Sequence, residues 1–167
     1  WLNRTFYGDS VFSISLGCLN ADGSRDFYHK IIHEGKGELP ELKPKKQSER
    51  VACVFADYGR NPDETLAHAA RHWPVVYFRP HPAQPTATGY ETLTGDLSAV
   101  WEKCDVALGH SSTVLVEAEL NGLKVVSTDP NHVCQGITDR EQWLKDLSWA
   151  QWTHHELING DWIDHLC

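Results

Sequence analysis

The sequence predicts an α/β fold: a Rossmann-like parallel sheet flanked by helices, followed by a helical C-terminal tail. Three observations carry this. Short apolar runs rich in β-branched residues recur at 51–56, 75–78, 105–108 and 124–127, as expected of strands buried on both faces. Segments with helical periodicity or helix-start signals separate them, and parallel strands need such crossovers. Beyond Pro130 the strand runs give way to helix-start signals.

Taken in order, VFSISL (11–16) alternates toward a strand, and Asp22-Gly23 inside NADGSRD marks a turn. The segment LKPKKQSER (42–50) gathers Lys43, Lys45, Lys46 and Arg50 and is expected to be a solvated linker. VACVFA (51–56) is the first sheet strand. Asn61 then caps a helix opening Pro62, Asp63, Glu64 and running to about His72, because proline suits the first helical position and acidic side chains suit its positive end. Pro74 breaks the chain before the strand VVYF (75–78).

After a polar stretch at 85–95, a short helix is expected near 96–103 and a strand at 105–108. STVLVEAELNG then has helical periodicity over 112–121, stops at Gly122, and leads into the strand KVVS (124–127). TDRE (138–141) and THHE (153–156) both fit the capping-box pattern, so two further helices should start there. Trp143, Trp149, Trp152 and Trp162 load this tail with apolar surface, expected to serve packing.

Composition narrows the function classes. The 167 residues are 41% hydrophobic, with no apolar run near the ~20 residues of a membrane span. The net charge of −8 disfavours a phosphate-backbone partner, so no nucleic acid is expected. The charge is uneven: residues 1–50 carry eight Lys+Arg against seven Asp+Glu, and residues 51–167 carry seven against sixteen. The absence of methionine suggests that residue 1 is not the natural start. Five cysteines lack CxxC or metal-ligand spacing, which is simplest in a reducing compartment. Among ten histidines, His68 and His72 form an i, i+4 pair without a third ligand nearby in sequence, so no metal site is expected. GxGxxG, Walker and GxSxG motifs are all absent.

The motifs that carry chemistry sit at strand ends. In RPHP (79–82), Arg79 and His81 follow the VVYF strand, and the prolines bias both toward extended backbone on a stiff loop. In GHSST (109–113) the hydroxyls of Ser111, Ser112 and Thr113 lead into a helix, with Ser111 or Ser112 as its N-cap, and Glu117 follows one turn later. In an open parallel sheet, ligands bind outside the carboxyl ends of the strands. Two cations and a set of hydroxyls there can converge on one phosphate group. A further cluster, DYGR (57–60), offers Gly59 for a tight turn and Arg60 for a phosphate or carboxylate, or is an ordinary strand-to-helix turn.

The succession of strand, HP, helix, CD-strand, SST, EA and GLKVV over about residues 51–166 resembles the nucleotide-binding C-terminal half of GT-B glycosyltransferases. More narrowly it resembles the bacterial capsule enzymes that use CMP-activated sugars, the Kdo transferases and polysialyltransferases. The resemblance implies that His81 contacts the donor phosphate as the catalytic residue. It implies that Ser111, Ser112 and Thr113 hold the phosphate from the helix end, and that Glu117 reaches the ribose hydroxyls. It further implies inverting transfer from a nucleotide-sugar co-substrate to a glycan or glycolipid acceptor, without another cofactor, in the cytoplasm or peripherally at the membrane. A UDP-sugar transferase, a CDP-glycerol transferase and a non-catalytic nucleotide-sugar-binding subunit are the alternatives.

A whole GT-B enzyme needs about twice this length. Residues 1–50 are therefore expected to be a remnant of the acceptor-side domain plus a linker, residues 51–167 the nucleotide-sugar-binding domain, and a second chain or domain to complete the cleft. In sialyltransferase-like families an acidic D/E-D/E-G motif supplies the general base. ADG here matches only its second half, so Asp22 is read as a turn aspartate.

Overall fold

The computed structural model describes residues 2–5, 8–14, 41–149 and 151–160. In chain order its elements are β1 (Leu2–Thr5), β2 (Gly8–Ile14), β3 (Val51–Phe55), α1 (Asp63–His72), β4 (Val75–Arg79), β5 (Glu91–Thr92), α2 (Leu97–Lys103), β6 (Val106–Gly109), α3 (Val114–Leu120), β7 (Lys124–Ser127), α4 (Arg140–Trp149), β8 (Gln151–Thr153) and α5 (His154–Asn159). They divide into two compact units, Leu42–Pro130 and Trp1–Glu41 with Asn131–Cys167.

In the Leu42–Pro130 unit, five strands form an all-parallel sheet in the order β5-β4-β3-β6-β7. The α/β, Rossmann-like architecture expected from the sequence is therefore present. Side chains alternate across each strand, and the two faces take different helices. Ala52, Val54, Phe78, Val106 and Leu108 pack with Leu66 and Ala69 of α1. On the other face a Cβ added to Gly109 would meet the Leu115 side chain of α3 at 3.4 Å. There too Phe55 lies against Trp101 of α2, ring centres 6.0 Å apart.

The local signals act largely as read. Asn61 Oδ1 accepts from the Asp63 amide at 3.0 Å and so satisfies the first free amide of α1, while Pro62, not Asn61, occupies the N-cap, already in helical backbone conformation. Asp96 accepts from the Ser98 amide at 2.7 Å and caps α2. Three differences stand out. The polar stretch contains the short strand β5, which pairs in parallel with β4 through Tyr77↔Glu91 and Phe78↔Thr92. Its residues are polar because this edge strand is exposed. Helix α3 begins at Val114, with Thr113 at the N-cap and no side-chain cap bond, rather than being capped by Ser111 or Ser112. The Leu115 amide bonds the Ser112 carbonyl, so the chain enters α3 through a tight turn that delays the helix.

The third difference is the basic segment, which is no free linker. The Lys43 and Lys46 amides donate to the Leu120 and Gly122 carbonyls at 2.8 and 2.9 Å. Lys45 Nζ reaches Glu119 Oε2 and the Leu123 carbonyl, both at 2.6 Å, and Lys46 Nζ reaches the Glu102 and Cys104 carbonyls. The segment is a strap. Its amides and ammonium groups satisfy carbonyls that the ends of α2 and α3 leave without helical partners. Gly122 makes the close approach possible: at φ +81° a Cβ there would fall 2.1 Å from the Pro44 carbonyl oxygen.

Cys53 and Cys104 are free and buried. A hydrogen bond with Cys104, and then burial, push the Cys53 thiol up, so it behaves as core.

In the other unit β1, β2 and β8 form an antiparallel sheet. The pairing Val11↔Thr153 explains why the tail groups with residue 1 onward and not with the parallel sheet. Helices α4 and α5 begin within one or two residues of the expected capping boxes. Asp139, not Thr138, accepts the Glu141 and Gln142 amides, both at 3.0 Å. Trp143 is buried and donates to the Val133 carbonyl at 2.9 Å. The Asp22-Gly23 turn and Trp162 lie outside the described residues, as do the side chains of Trp149 and Trp152.

Candidate functional site

Strand order locates the site. From β3 the chain passes through α1 to β4 on one side, and later through α2 to β6 on the other. The carboxyl ends of β3 and β6 therefore flank a switch point, where a crevice opens between diverging connections. A cleft of about 220 Å³ lies there. It is lined from β3 by Phe55 and Ala56, from the loop after β4 by Arg79 to Pro82, from α2 by Leu97, and from the start of α3 by Ser112, Thr113, Val114 and Glu117. Pockets for whole drug-sized ligands usually measure ~300–1,000 Å³, so this cleft is sized for a smaller group or for one part of a larger ligand.

Of the seven expected site residues, Arg79, His81, Ser112, Thr113 and Glu117 line this one cleft, and Arg60 and Ser111 do not. Arg79 ends β4, and its guanidinium donates to the Gly95 carbonyl at 2.6 Å and to the Leu93 carbonyl at 3.4 Å. These carbonyls brace it, and a fork of five N–H groups still has donors to spare. The His81 ring is fixed by the Ala83 amide, which donates to Nδ1 at 3.1 Å. Its neutral form then carries the proton on Nε2, a donor. Thr113 and Glu117 share the cleft because positions four apart lie on one helix face. Burial pushes the Glu117 carboxyl above its ordinary range.

Arg60 is exposed on the turn after β3 and does not line the cleft. Ser111 is displaced for a specific reason. The Asp57 carboxylate accepts the His110 amide at 2.9 Å and the Ser111 amide at 3.0 Å. It clips the tip of β3 to the tip of β6. The same turn is tied to the HP loop: the Gly59 amide donates to Gln84 Oε1 at 2.6 Å. Tyr58 rests against the His81 ring edge-on, centroids 5.5 Å apart. The sequence reading missed Asp57, whose partners lie more than fifty residues away. Its only local signal was a carboxylate at a strand tip two residues before a glycine.

Among the described residues no group of three or more His, Cys, Asp or Glu side chains is placed to hold a metal ion. None of the described helices is long and apolar enough to cross a membrane. No protein-family model matches the chain, and no curated protein matches it.

Proposed function

We propose that the Leu42–Pro130 unit binds the phosphate of a nucleotide-activated sugar, CMP-linked, and that the chain is a glycosyltransferase or its donor-binding part. One observation supports this above the others: the loops carrying Arg79 and His81 and carrying Ser112 and Thr113 line a single cleft at the sheet's switch point. A guanidinium, an imidazole donor and two hydroxyls form a set suited to an anion.

In the proposed reaction an acceptor hydroxyl attacks the anomeric carbon from the face opposite the nucleotide. The new carbon–oxygen bond forms as the bond to the phosphate oxygen breaks, with inversion, and the electron pair leaves on the phosphate. His81 Nε2 and Arg79 stabilise that developing charge, and removing one such donor typically costs about 10²–10³-fold in rate. The acceptor, a glycan or glycolipid, and the base that takes its proton belong in this reading to a second domain or chain that completes the cleft. Such a protein works in the cytoplasm or at the membrane surface.

Thermal-shift screening with CMP, CDP, UDP and NAD tests the ligand class, since a ligand at 100 times its Kd adds ~2.7 kcal/mol of stability. CMP should raise the midpoint most. His81→Ala and Ser112→Ala should fold normally and lose the shift. Equal affinity in wild type and both variants sinks the assignment, and a response to UDP alone moves the donor to a UDP-sugar.

A further inference from the structure

Helix α1 begins beside the cleft and runs back against the strands, so its last turn lies at the opposite end of the sheet. There His68 and His72, four residues apart, stack with ring centres 4.3 Å apart and planes inclined by 29°. Two imidazoles that share an ion at ~2.0–2.1 Å have ring centres about 4.5–5.2 Å apart for bond angles between 90° and tetrahedral. In the stacked arrangement the in-plane lone pairs run nearly parallel, so one ring must turn out of the stack before both can meet one ion, a rotation that side chains at positions i and i+4 of one helix face can make.

A second observation concerns orientation. His72 Nδ1 lies 2.8 Å from the His68 backbone carbonyl, and a carbonyl can only accept, so that nitrogen carries the proton. His72 Nε2 is left with its lone pair. A hydrogen bond of this kind on the far nitrogen is how proteins hold a metal-binding imidazole in its tautomer. His72 is exposed and His68 half-buried, so an ion can reach both. The neighbouring cation Arg71 bonds the Ala67 carbonyl through Nε at 3.2 Å.

We propose that His68 and His72 chelate a divalent transition-metal ion of the imidazole-preferring class, Cu²⁺, Ni²⁺ or Zn²⁺, with water in the remaining positions. The expectation of no metal site rested on the missing third ligand, and two ligands suffice for a reversible, exposed site. Affinity follows the order in which Cu²⁺ exceeds Ni²⁺. Mg²⁺ and Ca²⁺, which take oxygen ligands, do not compete. A bound ion links the last two turns of α1 and stabilises the folded unit by mass action.

Trp73 supplies the readout, since its ring lies 6.0 Å from His68 and 5.6 Å from His72. Titrating tag-free protein with CuCl₂ or NiCl₂ should quench part of the tryptophan emission saturably. Calorimetry should count one more ion per chain in wild type than in His68→Ala or in His72→Gln, a variant that keeps helix propensity. Trp73→Phe should lose the quench and keep the ion. MgCl₂ should do nothing. Identical stoichiometry and affinity in wild type and His72→Gln, or no saturable binding at all, overturns the proposal.

Discussion

Glu117 shows how one residue's surroundings set its chemistry. Its carboxyl shares a cleft with Arg79 and His81, yet burial is what holds its proton on to higher pH. A carboxyl raised in the folded state binds protons there that the unfolded chain has released, so stability declines as pH rises through that window. Glu117→Gln should match wild type in acid and exceed it in stability above the ordinary carboxylate range, as read by urea titrations across pH. An anionic ligand raises the Glu117 carboxyl further. CMP affinity should therefore fall with rising pH in wild type and stay flatter in the Gln variant. Parallel profiles would assign the burial to packing alone. The residues of RPHP and SST were legible because each stood at the end of an apolar run. Asp57 was not, since its meaning lies in amides that only the paired strands β3 and β6 bring within reach.

At the level of elements, local chemistry and distant docking contribute differently. The Asn61-Pro62 start of α1 and the apolar runs of β3, β4, β6 and β7 depend on neighbours in sequence, and all are present. Strand β5 exists because β4 offers it an edge, and the strap exists because two helix ends need donors. Neither need is written in the residues that meet it. Gly122→Ala tests the strap directly. A non-glycine residue in the left-handed region costs roughly 1–3 kcal/mol, and here the new methyl also collides with Pro44. The variant should lose more than that range in chemical denaturation, and a loss within about 0.5 kcal/mol would mean the strap yields freely. Lys45→Ala should also destabilise, because the Glu119 side chain is only 4% exposed and would lose a cationic partner.

For the whole molecule, an acidic chain places its few cations where they act. Lys45 and Lys46 complete the helix ends, and Arg79 faces the cleft. Asp105 balances them at the start of β6, accepting from Ser48, Arg50 and Val51 at 2.9–3.0 Å. Burial opposes its charge, but these bonds and nearby Lys46 outweigh it and hold the carboxyl below its ordinary range. Its contribution is present above the unfolded-state value and is lost as pH falls through the lower folded one. Asp105→Asn should therefore be less stable at neutral pH and converge with wild type in strong acid; a constant gap across pH would refute this.

The Asp57 clip has a kinetic corollary. With the loop after β6 already tethered through two amides, and the turn after β3 tied to Gln84, the proposed nucleotide would meet walls already held in place. Stopped-flow mixing should show one exponential whose rate climbs linearly with nucleotide concentration. Asp57→Ala, by releasing the tether, should introduce a slower phase that levels off at high concentration.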